Sequence, residues 1–166
     1  MTEALTYIGL MGIGITIVLT FIPWKWTVLA AYATLCLCYL GEPGAAYPAL
    51  LIFWGVATLI AAGLNFLLPR QVVSSRVGVG YIAGGALTGL VLGLLIAAQW
   101  MVIGSAVGAI LGAMAYSRTP AGSELGFPSR RFFNYLCAKA LPIVVSLSMA
   151  GYGFIIALQS ITAANL

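Results

Sequence analysis

Six runs of apolar residues, at 5–22, 26–40, 47–68, 79–98, 101–117 and 132–161, divide the chain. Between them stand Pro23, the cluster Gly41-Glu42-Pro43-Gly44, the pair Pro69-Arg70, and Gln99-Trp100. A longer polar interval precedes the last run, which Pro142 interrupts. The runs are continuous and do not alternate, so they predict membrane helices and not the alternating strands of about ten residues that build a barrel. Crossing a bilayer takes about 20 residues, and the 26–40 run is short by that measure. The pattern predicts an all-α integral membrane protein, a six-helix polytopic bundle forming a single transmembrane domain over 1–166. The alternative is that 5–40 and 79–117 are re-entrant hairpins.

Two runs carry a second period. Residues 85–93 read GALTGLVLG and residues 104–112 read GSAVGAILG. Positions four apart share one helical face, so Gly85, Gly89 and Gly93 predict one smooth groove and Gly104, Gly108 and Gly112 another. In lipid, apolar burial no longer drives helices together, and close van der Waals contact between backbones takes its place. The registers are therefore read as a glycine-zipper packing surface. The two grooves are expected to face each other across the Gln99-Trp100 turn; the alternative is that one groove docks a second copy or a partner subunit. Gly80, Gly84 and Ala97 are expected to extend the first groove or its edge, and Ala115 lies near the second. Gly9, Gly12 and Gly14 show no clean four-residue register and are read as local packing relief.

Composition removes a soluble alternative. Charged residues make up 6% of the chain and the mean hydropathy is +1.12, against about a quarter charged in soluble domains. An acid and no base precede the first apolar run, so that run is read as a span and not as a signal peptide. With six crossings, Lys25, Arg70, Arg76, Arg118, Arg130, Arg131 and Lys139 fall on one side, and Glu3 and Glu42 on the other. Basic loops mark the cytoplasmic face, so both termini are expected on the non-cytoplasmic side. A re-entrant first hairpin would carry Lys25 into the membrane, at a cost, which favours full crossing. Trp24, Trp26, Trp100, Tyr47 and Tyr116 fall at segment ends, as interfacial aromatics do; Trp54 does not.

Candidate chemistry is sparse. The chain has no histidine and its three acids are all glutamates, which excludes a Ser-His-Asp triad, a zinc-protease motif and histidine-ligated haem. Glu3, Glu42 and Glu124 fall in predicted termini or loops, so no embedded carboxylate relay is expected, nor any cofactor or catalytic residue. Cys36, Cys38 and Cys137 are read as small buried apolar side chains. The stretch PSRRFFNYLCAK, 128–139, mixes Arg130, Arg131 and Lys139 with aromatics. It is expected in the headgroup layer, with Ser129 as helix cap and with lipid headgroups, anionic ones among them, or a partner as its contacts. Pro142 is expected to kink the last helix. Asn65, Thr88, Gln99 and Ser105 are the polar groups that a solute path would use. The interval between Ala115 and Arg130 is the candidate partner-docking face.

The ordered series of a proline-containing first turn (GLMGIGITIVLTFIPWKWTVLAAYA, 9–33), an arginine-bearing loop leading into the first glycine register (LPRQVVSSRVGVGYIAGGALTGLVLG, 68–93), the second register (GSAVGAILGAMAYSR, 104–118) and AKALPIVVSLSMAGYGF (138–154) resembles a bacterial membrane family catalogued as domain of unknown function 456. The likeness covers most of the chain. Where that family carries an acid after the second register, this chain has Tyr116-Ser117-Arg118. The resemblance implies the bacterial inner membrane and supplies no activity. The function expected is a non-enzymatic structural or accessory subunit, or an oligomeric scaffold, working as a homo-oligomer or within a larger membrane complex. A transporter or channel for a small neutral or lipidic solute is the alternative. No nucleic-acid partner is expected.

Overall fold

The computed structural model describes residues 2–22, 26–41, 48–67 and 76–164. The described residues are helical with short turns, in six helices: α1 (Thr2–Thr20), α2 (Thr27–Gly41), α3 (Pro48–Leu67), α4 (Arg76–Ile96), α5 (Trp100–Ser117), and a long α6. α6 opens as Arg130–Tyr135, passes through a π-helical turn at Leu136–Ala140, and continues as Leu141–Ala164. A 3₁₀ turn, Ser123–Leu125, precedes it. The π turn answers the expectation at Pro142. Proline has no N–H to donate and its ring crowds the carbonyl four residues back. Just before it the ladder widens, and the Leu141 N–H donates to the carbonyl of Leu136, five residues away. Three helical stretches, Val77–Ile96, Trp100–Ser117 and Arg130–Gln159, are long and apolar enough to cross a membrane.

α6 is the central post. One core cluster joins Val79, Ile82, Ala86 and Leu90 of α4 and Met101, Ala109, Ala113 and Tyr116 of α5 to Phe132, Tyr135, Ile143 and Leu147 of α6. A second joins Ile13, Val28, Leu35, Trp54 and Ala61 of α1–α3 to Met149, Ala150 and Ile156 of α6. Specific neighbours fix the directions. The Tyr116 ring stacks on Tyr135 with centroids 6.0 Å apart. A methyl group built on Gly151 would stand 2.7 Å from Met101 Sδ and 3.5 Å from Leu90 Cδ1. α5 therefore runs antiparallel to α6. α4, which reaches Tyr135 at Gly78, runs parallel to it. α3 is antiparallel, since Trp54 packs on Tyr152 (5.6 Å between centroids) while the Thr58 hydroxyl donates to Met149 Sδ at 3.7 Å.

α1 and α2 form an antiparallel hairpin on the remaining side. Its ends are tied where the Thr27 hydroxyl donates to the Leu19 carbonyl at 3.5 Å. A methyl built on Gly153 would lie 3.3 Å from Ile13 Cδ1 and 3.5 Å from Cys38 Sγ. One turn further, Ile17 packs against both clusters, so α1 advances from Gly153 toward the N-terminal half of α6.

The perimeter is apolar. Met11, Ile15 and Val18 on α1, Ile52, Val56 and Leu59 on α3, Leu92, Leu95 and Ile96 on α4, and Ile103, Val107 and Leu111 on α5 are exposed. Threonine and serine hydroxyls lie inside: Thr16, Thr34, Thr58, Ser105, Ser146 and Ser148 are buried. That is the reverse of a water-soluble bundle, where exposed faces are polar.

Candidate helix-packing site and basic collar

The described glycines of the two registers meet across the α4–α5 hairpin. A methyl on Gly108 would fall on the carbonyl oxygen of Gly85, and its distance to Gly89 Cα would be 3.2 Å. One on Gly89 would fall on the Gly104 carbonyl oxygen and reach Gly108 Cα at 3.1 Å. Gly85 faces Gly108 and Gly112 Cα in the same way. The partner is not always glycine: Gly93 abuts the backbone of Trp100 and Met101, and Gly112 that of Tyr81 and Ile82. Every one of these neighbours is main chain. A side chain would have to displace a helix, because no rotamer change can give way. Both grooves are thus occupied within the chain, which leaves neither open for a second copy.

The remaining glycines divide. Gly80 and Gly84 have nothing within 4 Å of a built methyl, so they extend no contact. Gly9 and Gly12, read as packing relief, sit tightly on α2: methyls there would stand 2.6 Å from Cys38 Sγ and 2.9 Å from Thr34 Cγ2. The signal was the spacing Gly9, Gly12, Thr16, one helical face of small residues, with Thr16 and Thr34 hydroxyls 3.4 Å apart. Gly14 on the opposite side has no such neighbour.

A tyrosine stack at the other end of the hairpin was not legible. Tyr116, expected at an interface, is buried between Tyr81 and Tyr135, at 6.0 Å from each. Its hydroxyl donates to the Ala121 carbonyl at 3.3 Å, pinning the turn after α5. Gly78 lies beneath the Tyr135 hydroxyl, and a methyl there would be 2.8 Å from the Tyr116 ring. Tyrosine is amphipathic and favours interfaces, but here the absent Gly78 side chain makes room for two rings inside. Trp26 and Trp100 are exposed at helix ends as expected, whereas Trp54 is buried. Trp24, Lys25, Glu42, Tyr47 and Arg70 lie outside the described residues.

The collar forms where α6 begins. Ser129 caps it: its Oγ accepts from the Phe132 N–H at 3.0 Å and its hydroxyl donates to the Leu125 carbonyl. Arg130 and Arg131 are exposed beside exposed Phe127 and Phe133, while Lys139 is half-buried and engaged with a neighbour. The polar interval before it is partly anchored, with Leu125 buried under the 3₁₀ turn and Gly126 in the left-handed region at φ 47°. Cys137 is exposed, contrary to the buried reading; Cys38 is buried and Cys36 half-buried.

The described polar groups considered for a solute path do not converge. Thr88 and Gln99 are exposed, with the Thr88 hydroxyl donating to Gly84 at 2.9 Å; Ser105 is buried, and the Asn65 side chain lies outside the described residues. Besides Ser105, sequence reasoning missed the Ser146, Ser148 and Tyr135 hydroxyls and Trp54 Nε1; all five groups are buried with no hydrogen-bond partner. Among the described residues no three or more metal-ligating side chains come together. Comparison with known family models, curated proteins and solved structures finds no match.

Proposed function

We propose that the chain is a helical protein of the bacterial inner membrane that works without catalysis, as a structural or accessory subunit of a membrane assembly. The observation that carries the reading is the apolar perimeter: aliphatic side chains ring the outside, while buried serine and threonine hydroxyls and glycine backbone contacts lie within an otherwise apolar core. Such a surface is stable only in lipid or against other membrane helices. The glycine grooves are satisfied within the chain, so association falls to the aliphatic outer faces and to the collar at Arg130 and Arg131. Extraction of the native protein in mild detergent, followed by native mass spectrometry, should give an oligomer or a companion at constant stoichiometry. A lone monomer without companion from native membranes would overturn the reading.

A transporter or channel for a small neutral or lipidic solute is the second reading. The buried hydroxyls of Ser105, Ser146 and Ser148, which have no partner, favour it, since buried polar atoms are nearly always paired. It requires solute flux in reconstituted vesicles that Ser146→Ala alters; a broad solute panel with no flux removes it.

A further inference from the structure

α6 serves as a depth gauge for the two hairpins packed on it. α1 and α2 meet it at Gly153, through Ile13 and Cys38. From Ile13 to Thr20, α1 descends roughly 10 Å at 1.5 Å per residue before the chain turns into α2. The α4–α5 hairpin stays beside α6 down to Tyr135, roughly 25 Å below Gly153 on the same rise, allowing for the tighter π turn. The α1–α2 turn therefore stops roughly 15 Å short of the basic end of α4–α5.

Side-chain exposure records the same step. Below Leu141, Arg131, Phe133, Asn134 and Cys137 of α6 are exposed, on the side that α1 and α2 cover higher up, while α3 still reaches the π turn. Above Gly151, Phe154 and Leu158 are exposed, although they continue the face that Leu147 and Gly151 turn toward α4–α5. Two hairpins offset in this way cannot both cross one slab about 30 Å thick. α4, with 21 residues, covers roughly 30 Å, whereas the described part of α2, with 15, covers roughly 22 Å. The ends of α4–α5 are also marked as boundaries, by exposed Trp100 on one side and exposed Arg118, Arg130 and Arg131 on the other.

We propose that α4, α5 and α6 cross the bilayer and that α1–α2 is a re-entrant hairpin. It enters from the side of the Ala97–Gln99 turn and reverses near the midplane. The basic end of α6 lies below it, with Arg130 and Arg131 exposed there to hold anionic lipid headgroups. The inference rests on the membrane reading, and the experiment separates the two.

Nitroxide labels are placed singly at Ile22→Cys, Ala98→Cys, Ser123→Cys and Leu92→Cys, all exposed positions, in the full chain carrying Cys36→Ala, Cys38→Ala and Cys137→Ala. The protein is reconstituted in vesicles containing anionic phospholipid, and oxygen and nickel-chelate accessibilities are read by power saturation. A label at 22 should gain oxygen and lose chelate accessibility relative to 98 and 123, as a label at 92 should. A label at 22 as chelate-accessible as that at 123 overturns the re-entrant hairpin and leaves the membrane reading intact. Chelate access at 92 equal to that at 123 overturns both.

Discussion

Replacing Gly108 by alanine tests the hairpin interface most directly. The added methyl would stand 3.2 Å from Gly89 Cα and 2.8 Å from the carbonyl carbon of Gly85, with the Gly85 oxygen nearer still. Comfortable contact begins near 3.4 Å, so the backbones must part by about half an ångström to one ångström. A gap of that size forfeits roughly a quarter to a half of each dispersion contact, and it opens the neighbouring steps at Gly89 and Gly104 as well. Overpacking of this kind costs about 1–3 kcal/mol, and the upper end applies because main chain cannot repack. Against it stands the helix-propensity gain of alanine over glycine, at most about 1 kcal/mol. Gly84→Ala isolates that gain, since nothing lies within 4 Å of its methyl. The two variants should differ by about 3 kcal/mol, or roughly 6–12 °C in melting temperature for a chain of this size. Thermal unfolding in one mild detergent, followed by far-UV dichroism, measures the difference. If Gly108→Ala melts together with Gly84→Ala, the backbone contact contributes nothing and the packing account fails.

Leucine extends the comparison: Gly108→Leu should disrupt the fold more than Gly153→Leu, whose nearest neighbours are the side-chain ends of Ile13 and Cys38; equal melting losses would refute this. Ser129→Ala should cost about 1 kcal/mol through the lost cap and speed amide exchange at Phe132 above all; unchanged exchange there would argue against the cap. Leu95→Arg, at a site 78% exposed near the end of α4, should lower membrane integration in a translocation assay by less than the roughly 2.5–3.5 kcal/mol of an arginine at the bilayer centre; integration equal to wild type would contradict a lipid-facing α4. Ser146→Ala should raise stability slightly, by about 1 kcal/mol, since it removes a buried hydroxyl without a partner; a marked loss of melting temperature would reveal a bond that the structure lacks.

The helices and the face on which α4 and α5 meet were legible in the amino-acid sequence, because both depend on short-range periodicity. Continuous apolar runs predict helices wherever they fall, and three glycines four apart make a bare ridge on any helix. The helix bounds moved by a few residues, as with α4, which begins at Arg76 where the apolar run begins at 79. The Ser129 cap was legible for the same local reason. What lies beyond one helix was decided by tertiary packing. Nothing local distinguishes Gly84, which touches nothing, from Gly85, which touches α5, until the rotation of α4 is known. Tyr116 reads as an interfacial ring until Gly78 and Tyr135 enclose it. The depth of α1–α2 is set by where Ile13 and Cys38 lock onto Gly153, and contacts between residues more than a hundred positions apart leave no periodic trace. Sequence determines which faces are smooth, small or apolar; the fold alone determines which of them touch and at what height, because that choice is made jointly by α6 and the five helices packed around it.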